Sequence, residues 1–225
     1  MNTANHKPGR VLGLLFILPF FAYGIGSAVI GSLLEGTDPL SQVIEHRPRY
    51  VAGALLLLLN SATVVGIGVL FFPIGRRHHA SIALAYICTR VVEALLLTVG
   101  VLFLLSILHL GEGAQGLGAS RTQELLTLTT LLARGNFWAY QLAMLVLGAG
   151  SMWFCVLLFR SGLAPSSLAL LGVAGYALLA LGCVLELLGL RVGTILALPG
   201  GLFELGLGGW LMAKGFRPIT RSAAA

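Results

Sequence analysis

SIALAYICTRVVEALLLTVGVLFLLSILHL, residues Ser81–Leu110, decides which solvent this chain folds in. Its only Asp, Glu, Lys or Arg residues are Arg90 and Glu93, and the rest is continuously apolar but for small hydroxyls and His109 near the end. A helix needs about 20 mostly apolar residues to cross roughly 30 Å of hydrocarbon. This stretch exceeds that length, so it tilts or protrudes beyond the bilayer. Continuous rather than alternating hydrophobicity excludes a barrel strand.

Five further stretches meet the same test: Val11–Leu34, Val51–Ile74, Phe137–Phe159, Ser167–Leu190 and Thr194–Lys214. The sequence therefore predicts an all-α, polytopic membrane protein. It is a bundle of six transmembrane helices with short cytoplasmic turns and two longer outer connections, forming a single domain over residues 1–225. Composition agrees. Charged residues are 10% of the 225 and hydrophobic ones 57%, with a mean hydropathy of +0.95. A soluble domain covers itself with roughly 25% charged residues, so too little polar surface is present here to face water. The 30 glycines lie largely inside the apolar runs, where small residues let helix backbones approach. Cys88, Cys155 and Cys183 fall in three separate spans, with neither disulfide nor metal-ligand spacing.

The net charge of +6 does not indicate nucleic acid. The basic residues stand singly or in pairs between apolar runs, without a basic face. They report topology instead. Lys7, Arg10, Arg76, Arg77, Arg160, Lys214, Arg217 and Arg221 fall on one side, and Arg47, Arg49, Arg121, Arg134 and Arg191 on the other. The richer side is expected to be cytoplasmic, which places both termini inside. Glu35, Asp38, Glu45, Glu112 and Glu124 all fall on the opposite side. Lys7 and Arg10 before an apolar core imitate a signal peptide, but the run continues to Leu34 without a convincing cleavage site. The two outer connections are Gly36–Tyr50 and Gly111–Asn136. In the second, Ser120 and Gln123 have capping-box spacing, and Leu125, Leu128 and Leu132 share a helical face. A short helix on the outer surface is predicted there.

Four ionisable residues stand inside spans: Arg90, Glu93, Glu186 and Glu204. Each costs at least ~2.5–3.5 kcal/mol at mid-bilayer, so such residues face the bundle interior and find partners. Glu204 lies four residues from both Gly200 and Gly208, and Glu186 shares a face with Gly175, Gly182 and Gly189. Arg90 and Glu93 are three apart and adjacent on one helix surface, with Tyr86 and Gly100 on that side. At 1.5 Å per residue, Arg90 lies about 13 Å and Glu93 about 18 Å from the start of their span, and Glu204 about 15 Å from the start of its own. Tyr23, Asn60 and Tyr176 fall near the middle of theirs. The expected polar layer is thus Tyr23, Asn60, Arg90, Glu93, Tyr176 and Glu204. Glu186 is nearer the outer end, where Arg191 is a neighbour beyond the helix. One arginine cannot neutralise two carboxylates, so Glu204 is either protonated or supported by hydrogen bonds and water.

No catalytic residue, metal site or cofactor is indicated. Haem would want histidines facing each other within spans, but His78 and His79 lie in a turn, His6 in the tail, and His46 and His109 toward the outer side. HExxH, phosphate-loop, dinucleotide and GxSxG patterns are missing from the sequence. Asp38, the one aspartate, lies in a loop, which excludes an intramembrane aspartate pair.

TRVVEALLL (Thr89–Leu97), LLFRSGLAP (Leu157–Pro165) and LALPGGLFELGLGGWLMAKGF (Leu196–Phe216), with the opening GRVLGLLFILPFFAYGIG (Gly9–Gly26), carry a family likeness. Over nearly its whole length the chain resembles the bacterial multi-spanning membrane family catalogued as domain of unknown function 4386. Arg90, Glu93, Pro199 and Glu204 fall where that family's pattern places such residues. The resemblance implies the six-span architecture and a bacterial plasma-membrane setting; it implies no activity.

Two functions follow as expectations. In the first, a small solute, ion or lipid contacts the polar layer and Glu93 or Glu204 exchanges a proton; Pro199–Gly200–Gly201 would loosen the sixth helix, as at transporter sites. In the second, the protein is a structural or regulatory partner of another membrane protein, and its buried charges only hold helices together. An enzyme acting on lipid is the weakest reading, since His109, Glu112 and His46 come without a nucleophile. The bilayer itself is the one partner the composition demands.

Overall fold

The computed structural model describes residues 6–36, 38–114, 119–190 and 192–216. Seven helices follow one another: α1 (His6–Leu34), α2 (Pro39–Glu45), α3 (Arg47–Gly75), α4 (Ala80–Ala114), α5 (Ala119–Ser161), α6 (Ser166–Leu187) and α7 (Gly193–Lys214). No strand occurs among the described residues. All but α2 are long and apolar enough to cross a membrane. Much of their outward surface is bare hydrocarbon side chain, including Trp153 at 62% and Ile195 at 69% exposure. That surface suits lipid and not water. The chain is a multi-pass membrane protein, a polytopic helical bundle.

Local chemistry sets several helix ends. Asp38 caps α2, its side chain accepting from the Ser41 amide, and Pro39 occupies the first turn, where its missing N–H costs nothing. Gly162 and Gly189 take positive φ, +66° and +88°, just past the ends of α5 and α6. A left-handed residue lets the chain leave a helix sharply, and glycine does so without a Cβ clash.

Two differences from expectation stand out. Residues 119–136 are helical but form no separate surface helix: they are the first turns of α5, which continues unbroken to Ser161. The inward face there is Leu125, Leu126, Leu132 and Ala133, with Thr129 buried, whereas Leu128 is 44% exposed. Continuing the span's own 3.6-residue period backwards selects 125, 129, 132 and 136, which an isolated amphipathic helix need not obey. The Ser120 side chain of the proposed capping box lies outside the described residues. In addition, α7 runs through Pro199–Gly200–Gly201 without a break; Gly200 serves close packing instead, as described below.

The contacts group into two compact units. Unit 1 lies within Met1–Ile17, Val64–Val92 and Met144–Ala225, and unit 2 comprises Leu18–Thr63 and Glu93–Ala143. The divisions fall inside α1, α3, α4 and α5. In unit 1, Tyr86 stacks on Phe154 at 4.2 Å, and Phe71 meets both rings edge-on. Around this aromatic core the backbones touch at glycines. A Cβ on Gly175 of α6 would lie 2.7 Å from the Gly200 nitrogen of α7, and one on Gly13 of α1 would lie 2.6 Å from the Gly208 carbonyl of α7. In unit 2 the core gathers Leu33, Leu40, Val43, Leu104 and Ile107, and the buried Tyr50 hydroxyl donates to the Leu104 carbonyl at 2.8 Å. At its exposed edge Glu112 bridges Arg47 (2.6 Å) and His109 (3.4 Å), linking the start of α3 to the end of α4.

Candidate functional site

Arg90 leaves α4 where its neighbours crowd in. A Cβ on Gly68 of α3 would lie 3.2 Å from the Arg90 Cβ, and Gly150 of α5 abuts Thr89. With the backbones this close, the long side chain has one way out, along the aromatic core. Its guanidinium carbon lies 5.3 Å from the centroid of the Tyr86 ring and 5.9 Å from that of Phe16, within cation–π range. Nε donates to the Tyr86 hydroxyl at 3.0 Å and Nη2 to Glu204 Oε1 at 3.2 Å. The Tyr176 hydroxyl donates to the same Glu204 oxygen at 2.6 Å.

Arg90 and Tyr176 are each 1% exposed, whereas the Glu204 side chain keeps 16% of its surface open. A guanidinium and a carboxylate in a low-dielectric interior attract strongly, but each first loses its hydration, so the pair needs further hydrogen bonds to break even. Tyr86 supplies one to the cation, and Tyr176 donates one to the anion. Charge-assisted bonds of this kind are shorter and stronger than neutral ones. Glu204 thus faces inward, within hydrogen-bond reach of Arg90, as its flanking glycines predicted.

The other expected members of the layer are distributed differently. Glu93, 2% exposed, and Asn60, 5% exposed, belong to unit 2. So does Tyr23, whose ring stacks on that of Tyr140 at 5.0 Å. Tyr23, Asn60, Asn136 and Tyr140 share the wall of one recess. Glu186 stands apart from these: its Oε1 accepts from the Gly193 amide, at the first turn of α7, at 3.0 Å. The first amides of a helix lack internal partners and carry partial positive charge, so a carboxylate there is stabilised without a cation. Arg191, the neighbour anticipated from the sequence, lies outside the described residues.

Sequence reasoning passed over two contributors. Asn136 and Tyr140 are four apart, hence on one face of α5, but Asn136 fell one residue before the expected span. Cys155 is buried and packs against α6, where a Cβ on Gly172 would lie 2.6 Å from its sulfur. Among the described residues no three His, Cys, Asp or Glu side chains stand close enough to share a metal ion.

Neither the curated proteins nor the solved structures include a match to this chain. A family model does match, over residues 11–215, and its description is "Domain of unknown function (DUF4386)". With nearly the whole length covered, and the membrane helices and their in-span charges inside the matched region, the chain belongs to the DUF4386 family.

Proposed function

We propose that the protein binds a small solute, ion or lipid headgroup at the Arg90–Glu204–Tyr176 group, with Glu204 exchanging a proton. One observation carries this reading. A single carboxylate oxygen receives both Tyr176 and Arg90, and Glu204 is the only one of the three that is not fully buried. Protonating Glu204 weakens its bond to the guanidinium, so an anion reaching the group would compete better for Arg90, which would couple proton uptake to anion binding. The positive-inside bias supports a topology with both termini in the cytoplasm, and the family resemblance supports a bacterial plasma-membrane setting. Proteoliposome flux of protons, measured with and without candidate anions, tests the idea. Glu204→Gln keeps the shape and the acceptor oxygen but cannot titrate, and it should cut flux at least tenfold; unchanged flux removes the proposal.

A second reading is supported by the tight packing around Arg90 at Gly68 and Gly150. Here the charges only clamp helices, and the protein serves as a structural or regulatory partner in the membrane. Folding would then tolerate Arg90→Leu with Glu204→Gln together, flux would be nil throughout, and a specific membrane protein would co-purify.

A further inference from the structure

We infer that the end of unit 1 where α1 begins and α3, α5 and α7 finish is a binding surface for the headgroups of anionic phospholipids. Arg10, Arg76, Arg77, Arg160 and Lys214 all belong to this unit, and all are exposed. Packing gathers them at one end. A Cβ on Gly9 would lie 3.1 Å from the Gly215 Cα, so Arg10 and Lys214 flank the crossing of α1 and α7. The Phe216 ring, just past Lys214, lies 6.3 Å from that of Phe71, one turn before the end of α3. Phe71 in turn meets Phe154 at 4.8 Å, ahead of Arg160 on α5.

No acid of the unit answers these cations. Its carboxylates are Glu186 and Glu204. Glu204 is bonded to Arg90 and Tyr176, and Glu186 accepts from Gly193 at the opposite end of α7. Among the described residues none of the five basic side chains makes an ion pair or a hydrogen bond; Arg76 has only the face of Phe72, 5.8 Å from its guanidinium carbon. In unit 2, by contrast, Arg47 is paired with Glu112, and Arg49 donates to the Ser32 hydroxyl. Cations gathered without counter-charge repel one another and attract anions from outside. The surface beside them says that the anion has tails. Val11, Phe159 and Met212, each within two residues of one of these cations, are 50%, 44% and 40% exposed. Such side chains suit acyl chains, while Arg and Lys lay their stems along apolar surface and lift their charged heads to the phosphate level. A zwitterionic headgroup brings its own cation into the cluster, whereas an anionic one does not. This inference does not depend on whether Glu204 exchanges a proton.

The tryptophans Trp138, Trp153 and Trp210 supply the test. Trp210 stands one turn before Lys214, and Trp138 lies in unit 2. Full-length variants that keep only Trp210 or only Trp138, with phenylalanine at the other two positions, are reconstituted in phosphatidylcholine vesicles. Acyl-brominated phosphatidylglycerol or, for reference, brominated phosphatidylcholine is then mixed in. Bromine quenches only a tryptophan it touches, so the two curves give the relative affinity of the adjoining lipid. One basic residue near an anionic headgroup is worth about fivefold. Phosphatidylglycerol should therefore be favoured about fivefold or more at Trp210, less so in high salt, and not at Trp138. Arg10→Gln with Lys214→Gln should cut the preference at least threefold, and glutamine at all five positions should abolish it; Arg47→Gln should leave it intact. Unchanged quenching by brominated phosphatidylcholine checks that each variant is folded, and if the fivefold variant is not, the double variant decides. Equal quenching by the two lipids at Trp210 overturns the surface, as does an equal preference at Trp138 or one that survives the substitutions. Sodium phosphate that erases the preference more than sodium chloride of the same ionic strength would show a site for free phosphate and overturn the lipid assignment.

Discussion

The Tyr176 hydroxyl lies 2.6 Å from Glu204 Oε1, and its place follows from a backbone contact one residue away on α6 and four residues away on α7. Gly175 and Gly200 bring those two helices together so closely that a Cβ on Gly175 would sit 2.7 Å from the Gly200 nitrogen. Tyr176, next to the crossing, and Glu204, one turn beyond it, are thereby within reach. The acid's partner is set by helix packing as much as by charge.

Tyr176→Phe keeps the ring against Phe203 and deletes only the bond to Glu204. Side-chain hydrogen bonds between membrane helices average ~0.6 kcal/mol and reach about 1.7; this one, made to a carboxylate, belongs at the upper end. A lower midpoint in reversible unfolding from mixed micelles is expected. An unchanged midpoint would mean that water replaces the phenol at no cost.

Gly175→Ala should destabilise by about 1–3 kcal/mol, because overpacking against backbone cannot be relieved by a rotamer change. Gly24, with nothing within 4 Å of its would-be Cβ, provides the contrast. Gly24→Ala should be neutral or slightly stabilising, since it only restricts the unfolded chain. Thermal melts of the two variants side by side distinguish a contact effect from a general dislike of added methyls.

Arg90→Leu alone strands the partly buried Glu204, and breaking one side of a buried pair costs about 3–5 kcal/mol. Adding Glu204→Gln should recover much of that, giving a large positive coupling in a double-mutant cycle. Additive effects of the two substitutions would show that the pair contributes nothing in the membrane.

Glu186→Leu should free the Gly193 amide and loosen the first turn of α7 by about 1 kcal/mol, whereas Glu186→Gln, which keeps an acceptor oxygen, should lose less. Amide hydrogen exchange at residues 193–196 reads this directly: faster exchange for Leu, little change for Gln.

Asp38 lies outside the spans, and its bonds to the Ser41 hydroxyl and amide hold its carboxyl below the ordinary value of 3.8. A depressed folded-state value means that the cap's contribution is present above that ordinary value. It fades as pH falls through the lower one. The Ser41 amide resonance should therefore move in acid below about pH 4, and Asp38→Asn should abolish the movement while keeping α2 capped.

Much of this protein was legible in its sequence because the decisive quantity is local. Whether a helix can lie in lipid depends on a sum over its own residues, so the six spans could be counted without knowing any contact. The cost of an in-span charge is equally local, and it turned Arg90 and Glu204 inward before any partner was known. Which partners they meet is not local. That Tyr176 and Arg90 converge on one oxygen, and that Glu186 accepts from the Gly193 amide, depend on where helices cross. Those crossings are set by glycines 68, 150, 175 and 200 pressing on neighbours far away in the chain. Hydropathy carries no record of such contacts, because in lipid the helices gain nothing from apolarity itself and associate by shape.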